Sequence, residues 1–286
     1  MMKSLHTDGW FASRELSEFP EPEIIRLRHP VLLCHGYGAL VSLVKPSPLY
    51  DVAMLMRRHN VLAFAPNIVP YAKIETRAER WVSIIHKIID QTGALKLNIV
   101  AHSMGGLDMR YAISQLDAAP QVDSLTTVCS PHRGSSLAEL GLNAPETIRN
   151  KLGDFLDWMG NHVYPGDTSD ALGSVEQLTR TYITERFNPQ VPDVPDIPYY
   201  SYSGCVGKGT DHPITVISRY QNNHVFAQEG PNDGMVSLES ARWGEYIKTI
   251  NLSHIEQMNL RVKSDRQPLF EALWVDVLKM LREKGH

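Results

Sequence analysis

Short, uninterrupted apolar runs alternate with amphipathic stretches along most of this 286-residue chain, and that order restricts the fold more than any other feature. Residues 31–34, 61–65, 97–100 and 125–129 are each of strand length and are bounded by Gly, Pro, Asn or His. Runs that are apolar throughout suit strands covered on both faces, as in a parallel sheet. Helical stretches lie between them, at 49–58, 74–92 and 105–116. In the second of these, Ala78, Trp81, Val82, Ile85, Ile88 and Ile89 recur at spacings of three and four. This β-α-β-α order predicts an α/β protein with a doubly wound, mostly parallel sheet.

The pattern changes after Cys129. Residues 135–196 hold helical pieces and a Pro-rich connector before strand signals return at 197–203 and 246–252, and 268–282 reads as a terminal helix. An insertion of that length between two strands is expected to be a cap or lid within a single domain spanning 1–286. Hydrophobic residues make up 43% and charged residues 21%, enough for one sizeable core. The net charge of -4 and the lack of any basic run argue against a nucleic-acid partner. No apolar stretch approaches the roughly 18 residues of a membrane span. Asp8, Arg14, Glu15, Glu18, Glu21 and Glu23 break up the first thirty residues, so no signal peptide is visible. The expectation is a cytoplasmic protein, or a secreted one if a leader has been removed. Cys34, Cys129 and Cys205 leave at least one free thiol and read as small core side chains. No CxxC or HExxH spacing suggests a metal cluster.

The chemistry is concentrated at Leu97-Asn98-Ile99-Val100-Ala101-His102-Ser103-Met104-Gly105-Gly106. A nucleophilic Ser must stand clear of the sheet on a strained strand-to-helix turn, and the backbone two residues to either side then approaches closely. Ala101 and Gly105 meet that crowding with the smallest side chains, while Gly106 lets the next helix lie near the neighbouring strand. Small-x-Ser-x-Gly is a weak signal alone and a strong one between an apolar strand and an amphipathic helix. Acyl transfer also needs two backbone N–H groups aimed at the developing oxyanion. Met104 supplies one, and Tyr37, in the loop Cys34-His35-Gly36-Tyr37-Gly38 after the first strand, is placed to supply the other.

With Ser130-Pro131-His132-Arg133-Gly134-Ser135, these blocks resemble the α/β-hydrolase lipases, in particular secreted bacterial triacylglycerol lipases and fungal lipase-like proteins. Asn232-Asp233-Gly234-Met235-Val236 and Ser253-His254-Ile255-Glu256 supply the family's remaining blocks in its order, from about residue 30 to 260. The resemblance implies the α/β-hydrolase fold, a serine ester hydrolase acting on acylglycerols, and a chain order Ser, acid, His; the alternatives are a carboxylesterase on shorter esters, a phospholipase, thioesterase or acyltransferase with the same triad, or a non-catalytic binding protein that keeps the fold. It makes His254, directly after the last strand, the base, with His224 as runner-up. For the acid, spacing leaves Asp211 and Asp233 both open, and the resemblance favours Asp233. His35, Gly36 and His102, on the loops that shape the oxyanion hole, are expected to border the substrate. Leu137, Leu140, Phe155 and Trp158 are expected to line an acyl pocket beneath a lid that faces a lipid–water interface; ordinary core packing is the plainer account of the same residues. No cofactor is expected, with a structural calcium left open as the alternative because Glu256 still offers oxygen ligands. The bacterial lipases hold a structural calcium beside the catalytic His, but Glu256 stands where they have Asp and Leu260 where they have Gln. A salt-bridging surface carboxylate is the simpler reading of Glu256.

Overall fold

The computed structural model describes residues 22–37, 46–163, 169–260 and 262–286, and at 149, 152, 155, 158–163 and 217 the backbone alone. Among the described residues, six strands form one sheet: β1 (Val31–Cys34), β2 (Ala63–Phe64), β3 (Leu97–His102), β4 (Val122–Val128), β5 (Tyr199–Gly204) and β6 (Glu245–Ile250). Every pairing is parallel and the order is β2-β1-β3-β4-β5-β6. The expected doubly wound sheet is therefore present.

Side-chain alternation divides the core into two layers. Val31, Leu33, Val100 and Val128 point to the face covered by α1 (Tyr50–Arg58) and by the C-terminal helix Gln267–Glu283, through Val52, Met56, Phe270 and Trp274. Leu32, Cys34, Ile99, Ala101 and Leu125 point to the opposite face, where α2 (Ile74–Thr92) and α3 (Met104–Gln115) contribute Trp81, Ile85, Met109 and Ile113. Burial on both faces is why the strands read as continuous apolar runs. The three cysteines are free and buried.

Among the strands whose bounds differ from expectation, β2 and β4 do so for a visible physical reason. β2 pairs over two residues rather than over 61–65, because it is an edge strand and Pro66 lacks a donor just beyond it. β4 begins at Val122 rather than 125; polar Asp123 and Ser124 hide its first turn of pairing, and the Ser124 hydroxyl donates to Asn98 Oδ1 at 2.8 Å.

Between β4 and β5 come α4 (Ser136–Leu142), α5 (Glu146–Val163) and α6 (Ala171–Glu176), then a helical segment with a π turn at Ile183–Phe187. α7 (Val216–Glu229) links β5 to β6, and Gln267–Glu283 is α8. Winding reverses between β1 and β3, and the crevice at the carboxyl ends of such strands is where ligands bind in open α/β sheets. Among the described residues, no helix is long and apolar enough to cross a membrane.

Candidate active site

Ser103 sits at that crevice, between the end of β3 and the start of α3, with φ 58° and ψ −135°. A non-Gly residue in this region costs on the order of 1–3 kcal/mol, and surrounding contacts must hold it. The Ser103 N–H donates to Val128 O on β4 at 3.0 Å, and Gly106 N–H donates back to Ser103 O at 3.0 Å. Small residues make the turn possible. A Cβ on Gly105 would lie 2.5 Å from Cys34 O, and one on Gly106 2.2 Å from Ser130 Oγ and 2.9 Å from Thr127 Cγ2 on β4.

Three side chains converge on one hydrogen-bonded line. Ser103 Oγ lies 2.9 Å from His254 Nε2, and His254 Nδ1 lies 2.7 Å from Asp233 Oδ2. With Nδ1–H donated to the carboxylate, Nε2 is left to accept the Ser103 hydroxyl proton. Asp233 Oδ1 accepts the N–H groups of Met235 and Val236 at 2.9 and 2.8 Å, and Oδ2 also accepts from Gln257 Nε2 at 3.3 Å. Burial alone would raise this carboxyl, but His254 and the backbone donors outweigh it and hold it below the ordinary carboxylate value. His254 N–H donates to Asp233 O at 3.0 Å, which ties the two loops together. Asp211 instead borders a separate depression of about 390 Å³ with Lys208, His212 and Arg219. His224 Nε2 faces Ser136 O at 3.3 Å.

The loop after β1 abuts the elbow. A Cβ on Gly36 would lie 2.6 Å from Ser103 Cβ and 2.7 Å from Met104 N, so the glycine brings Tyr37 beside the first turn of α3. Gly38 lies outside the described residues. In front of Ser103 opens a cavity of about 610 Å³, which Tyr37, His254, Leu137, Leu140, Val175 and Met235 help to line. Leu137 and Leu140 thus stand where the sequence suggested, whereas the side chains of Phe155 and Trp158 lie outside the described residues. His35, Gly36 and His102 do not border the cavity; they form the buried layer behind it. His35 Nε2 accepts Ile68 N–H at 3.2 Å, which puts its proton on Nδ1, 2.9 Å from Gly36 O. His102 Nε2 donates to Gln257 Oε1 at 2.9 Å, and its ring centroid is 4.6 Å from that of His254. Burial lowers both histidines to about 3, so both are neutral.

Several supporting residues escaped the sequence reading. Arg77, fully buried on α2, donates to Asp108 Oδ2 at 2.9 Å, to Val69 O at 2.8 Å and to His35 O at 2.6 Å, so it anchors the loop that carries Tyr37. Its signal was a charge set within an apolar stripe, between Ile74 and Ala78. Gln257 joins His102 to Asp233, and nothing in its sequence context marks it. Glu256 does form a salt bridge, with Arg266 at 2.6 Å, but the pair is buried rather than on the surface.

Comparison with known proteins places the chain among serine esterases and lipases. The family described as "Putative serine esterase (DUF676)" matches residues 61–155. Triacylglycerol lipase of Pseudomonas fragi is 26% identical over 91% of this chain and 98% of its own length. Triacylglycerol lipase 2 of Saccharomyces cerevisiae is 31% identical over 63% of this chain and 51% of its own. Among solved structures, Staphylococcus hyicus lipase superposes with a TM-score of 0.69 at 16% identity, covering 93% of this chain and 99% of that one. The fold is that of the α/β-hydrolase lipases and esterases.

Proposed function

We propose that this chain is a serine ester hydrolase of lipase type, with Ser103 as nucleophile, His254 as general base and acid, and Asp233 as the carboxylate that orients it. The observation that carries the reading is the unbroken line Ser103 Oγ–His254 Nε2, His254 Nδ1–Asp233 Oδ2, open at its serine end to an aliphatic cavity. Ser103 Oγ attacks the ester carbonyl while His254 Nε2 takes its proton. The oxyanion forms against the N–H groups of Tyr37 and Met104. His254 returns the proton to the departing alcohol, leaving an acyl group on Ser103. Water, deprotonated by His254, then releases the acid and restores the serine.

The cavity supports an acyl chain as substrate. Its wall is mostly aliphatic, and residues of α4 and α5, among them Leu137, Leu140 and Ile148, line it, which supports reading these helices as a lid. Ile148 and Tyr220 line the cavity yet are 59% and 69% exposed, an apolar rim suited to a lipid–water interface. Each methylene buried in such a pocket contributes about 0.8 kcal/mol, or about four-fold in kcat/KM. Hydrolysis of p-nitrophenyl esters from acetate to stearate, and of an emulsified triglyceride, tests this against Ser103→Ala. Rates that climb by about that factor per methylene until the pocket is full, and that vanish in the variant, are expected. Activity confined to the shortest esters would make the protein a carboxylesterase and α4–α5 mere packing.

A further inference from the structure

The loop that presents His254 is fastened by a cationic side chain. Arg266, directly before α8, donates from Nε to Glu256 Oε1 at 2.6 Å, from Nη2 to Glu256 Oε2 at 3.0 Å, and from Nη2 to Asn251 O at 2.7 Å. Glu256 Oε2 also accepts the N–H and O–H of Ser253, each at 2.8 Å. Asn251, Ser253 and Glu256 bracket His254, and α8 is rooted in the core by Phe270 and Trp274. The guanidinium therefore ties a catalytic loop to a rigid element.

The resemblance to bacterial lipases implies a structural calcium beside His254, and the residues present do not fit that ion. Calcium takes about six to eight oxygen ligands. Here both oxygens of Glu256 are already engaged, Leu260 offers no side-chain oxygen, and no cluster of three or more His, Cys, Asp or Glu among the described residues could hold a metal. We propose that Arg266 is a positioning residue that does the work of a structural calcium: its fixed positive charge, clasped by Glu256 and Asn251, holds the His254 loop in register with Ser103. The inference rests on the serine-hydrolase reading. It implies a hydrolase indifferent to calcium.

The experiment uses the full chain as wild type, Arg266→Lys, Arg266→Gln and Glu256→Gln, each with EDTA and then with added calcium. Three quantities are read: Tm, kcat and KM on a soluble ester, and hydrogen exchange across 251–256. The wild type should keep its Tm and kcat in EDTA and in calcium. Arg266→Gln should lower kcat about 10–100-fold, the usual effect of losing an outer partner of a catalytic or metal-binding group. KM should stay within about two-fold, because the acyl pocket is untouched. Exchange should quicken at 251–256 while β3 and β4 stay protected. Glu256→Gln should act in the same direction, and Arg266→Lys, which keeps the charge but not the fork, should fall between wild type and Arg266→Gln. A calcium-dependent Tm or kcat in the wild type would overturn the inference. So would wild-type kcat in Arg266→Gln, or a lowered Tm with unchanged kcat, which marks a merely structural pair. If the wild type cleaves no ester, the hydrolase reading fails instead, and the exchange and calcium readouts still test the clasp.

Discussion

A methyl on Gly36 would press on Ser103 Cβ and on the Met104 N–H, the proposed oxyanion donor. Gly36→Ala should therefore fold but lose about 10²–10³ in kcat, the effect of removing one oxyanion donor. Ester kinetics beside a thermal melt check this, and undiminished kcat would detach the loop from catalysis. Gln257→Leu removes the donor to Asp233 Oδ2 and strands the His102 Nε2–H, so kcat is expected to drop about ten-fold with KM little changed. The three residues of the proposed triad stood out in the sequence because each sits in a block with its own backbone requirement. Its acid was not settled by spacing. Asp211 follows β5 more closely, and only the excursion through α7 returns residues 230–236 to the sheet's carboxyl edge, where Gly204 meets Asp233. Gln257 left no trace because its value lies wholly in partners that the chain brings from elsewhere.

At the scale of elements, α2 shows why a good periodic signal still conceals function. Ile74, Ala78, Trp81, Ile85 and Ile88 form the stripe that predicts the helix, and Gly93 ends it with φ 70°. Arg77 lies on the same buried face, where a charge is tolerable only when it is paired. Its partner Asp108 sits on α3, and burial lifts that carboxyl to about 6 against the pull of Arg77 and Trp81. Arg77→Leu strands a buried carboxylate, so denaturant melts should show a loss of about 3–5 kcal/mol. The double variant Arg77→Leu/Asp108→Leu should regain most of that stability but not full kcat, since His35 O has lost its anchor. Full recovery of both would leave the pair with a purely structural part. The helices between β4 and β5 were expected as an insertion, and the structure places α4 and α6 around the cavity; only the chemistry of that wall, not its shape, could be read from Leu137 and Leu140.

Across the whole molecule, buried histidines set the acid limit. Burial holds His35 and His102 at about 3, and His132 well below its ordinary 6.5. Once unfolded, all three take up protons near 6.5, so the unfolded state binds more protons as the medium is acidified. Stability is full above about pH 6.5 and declines below it by about 1.4 kcal/mol per pH unit for each residue, or about 4 for the three. Asp233 and Glu256, held below ordinary carboxylate values despite burial, lose their contribution only further down. Guanidinium midpoints measured from about pH 7 to pH 5 should fall steadily, and a flat series would contradict neutral burial of these rings. In the proposed mechanism, the same neutrality would keep His102, whose ring is 4.6 Å away, from repelling a protonated His254. The most direct test of that chemistry is to treat the protein with a fluorophosphonate and map the adduct by peptide mass spectrometry. One adduct per chain on Ser103, abolished in Ser103→Ala and strongly slowed in His254→Ala, is the expected result. No adduct, or one on another residue, would contradict the assignment of Ser103 as the nucleophile.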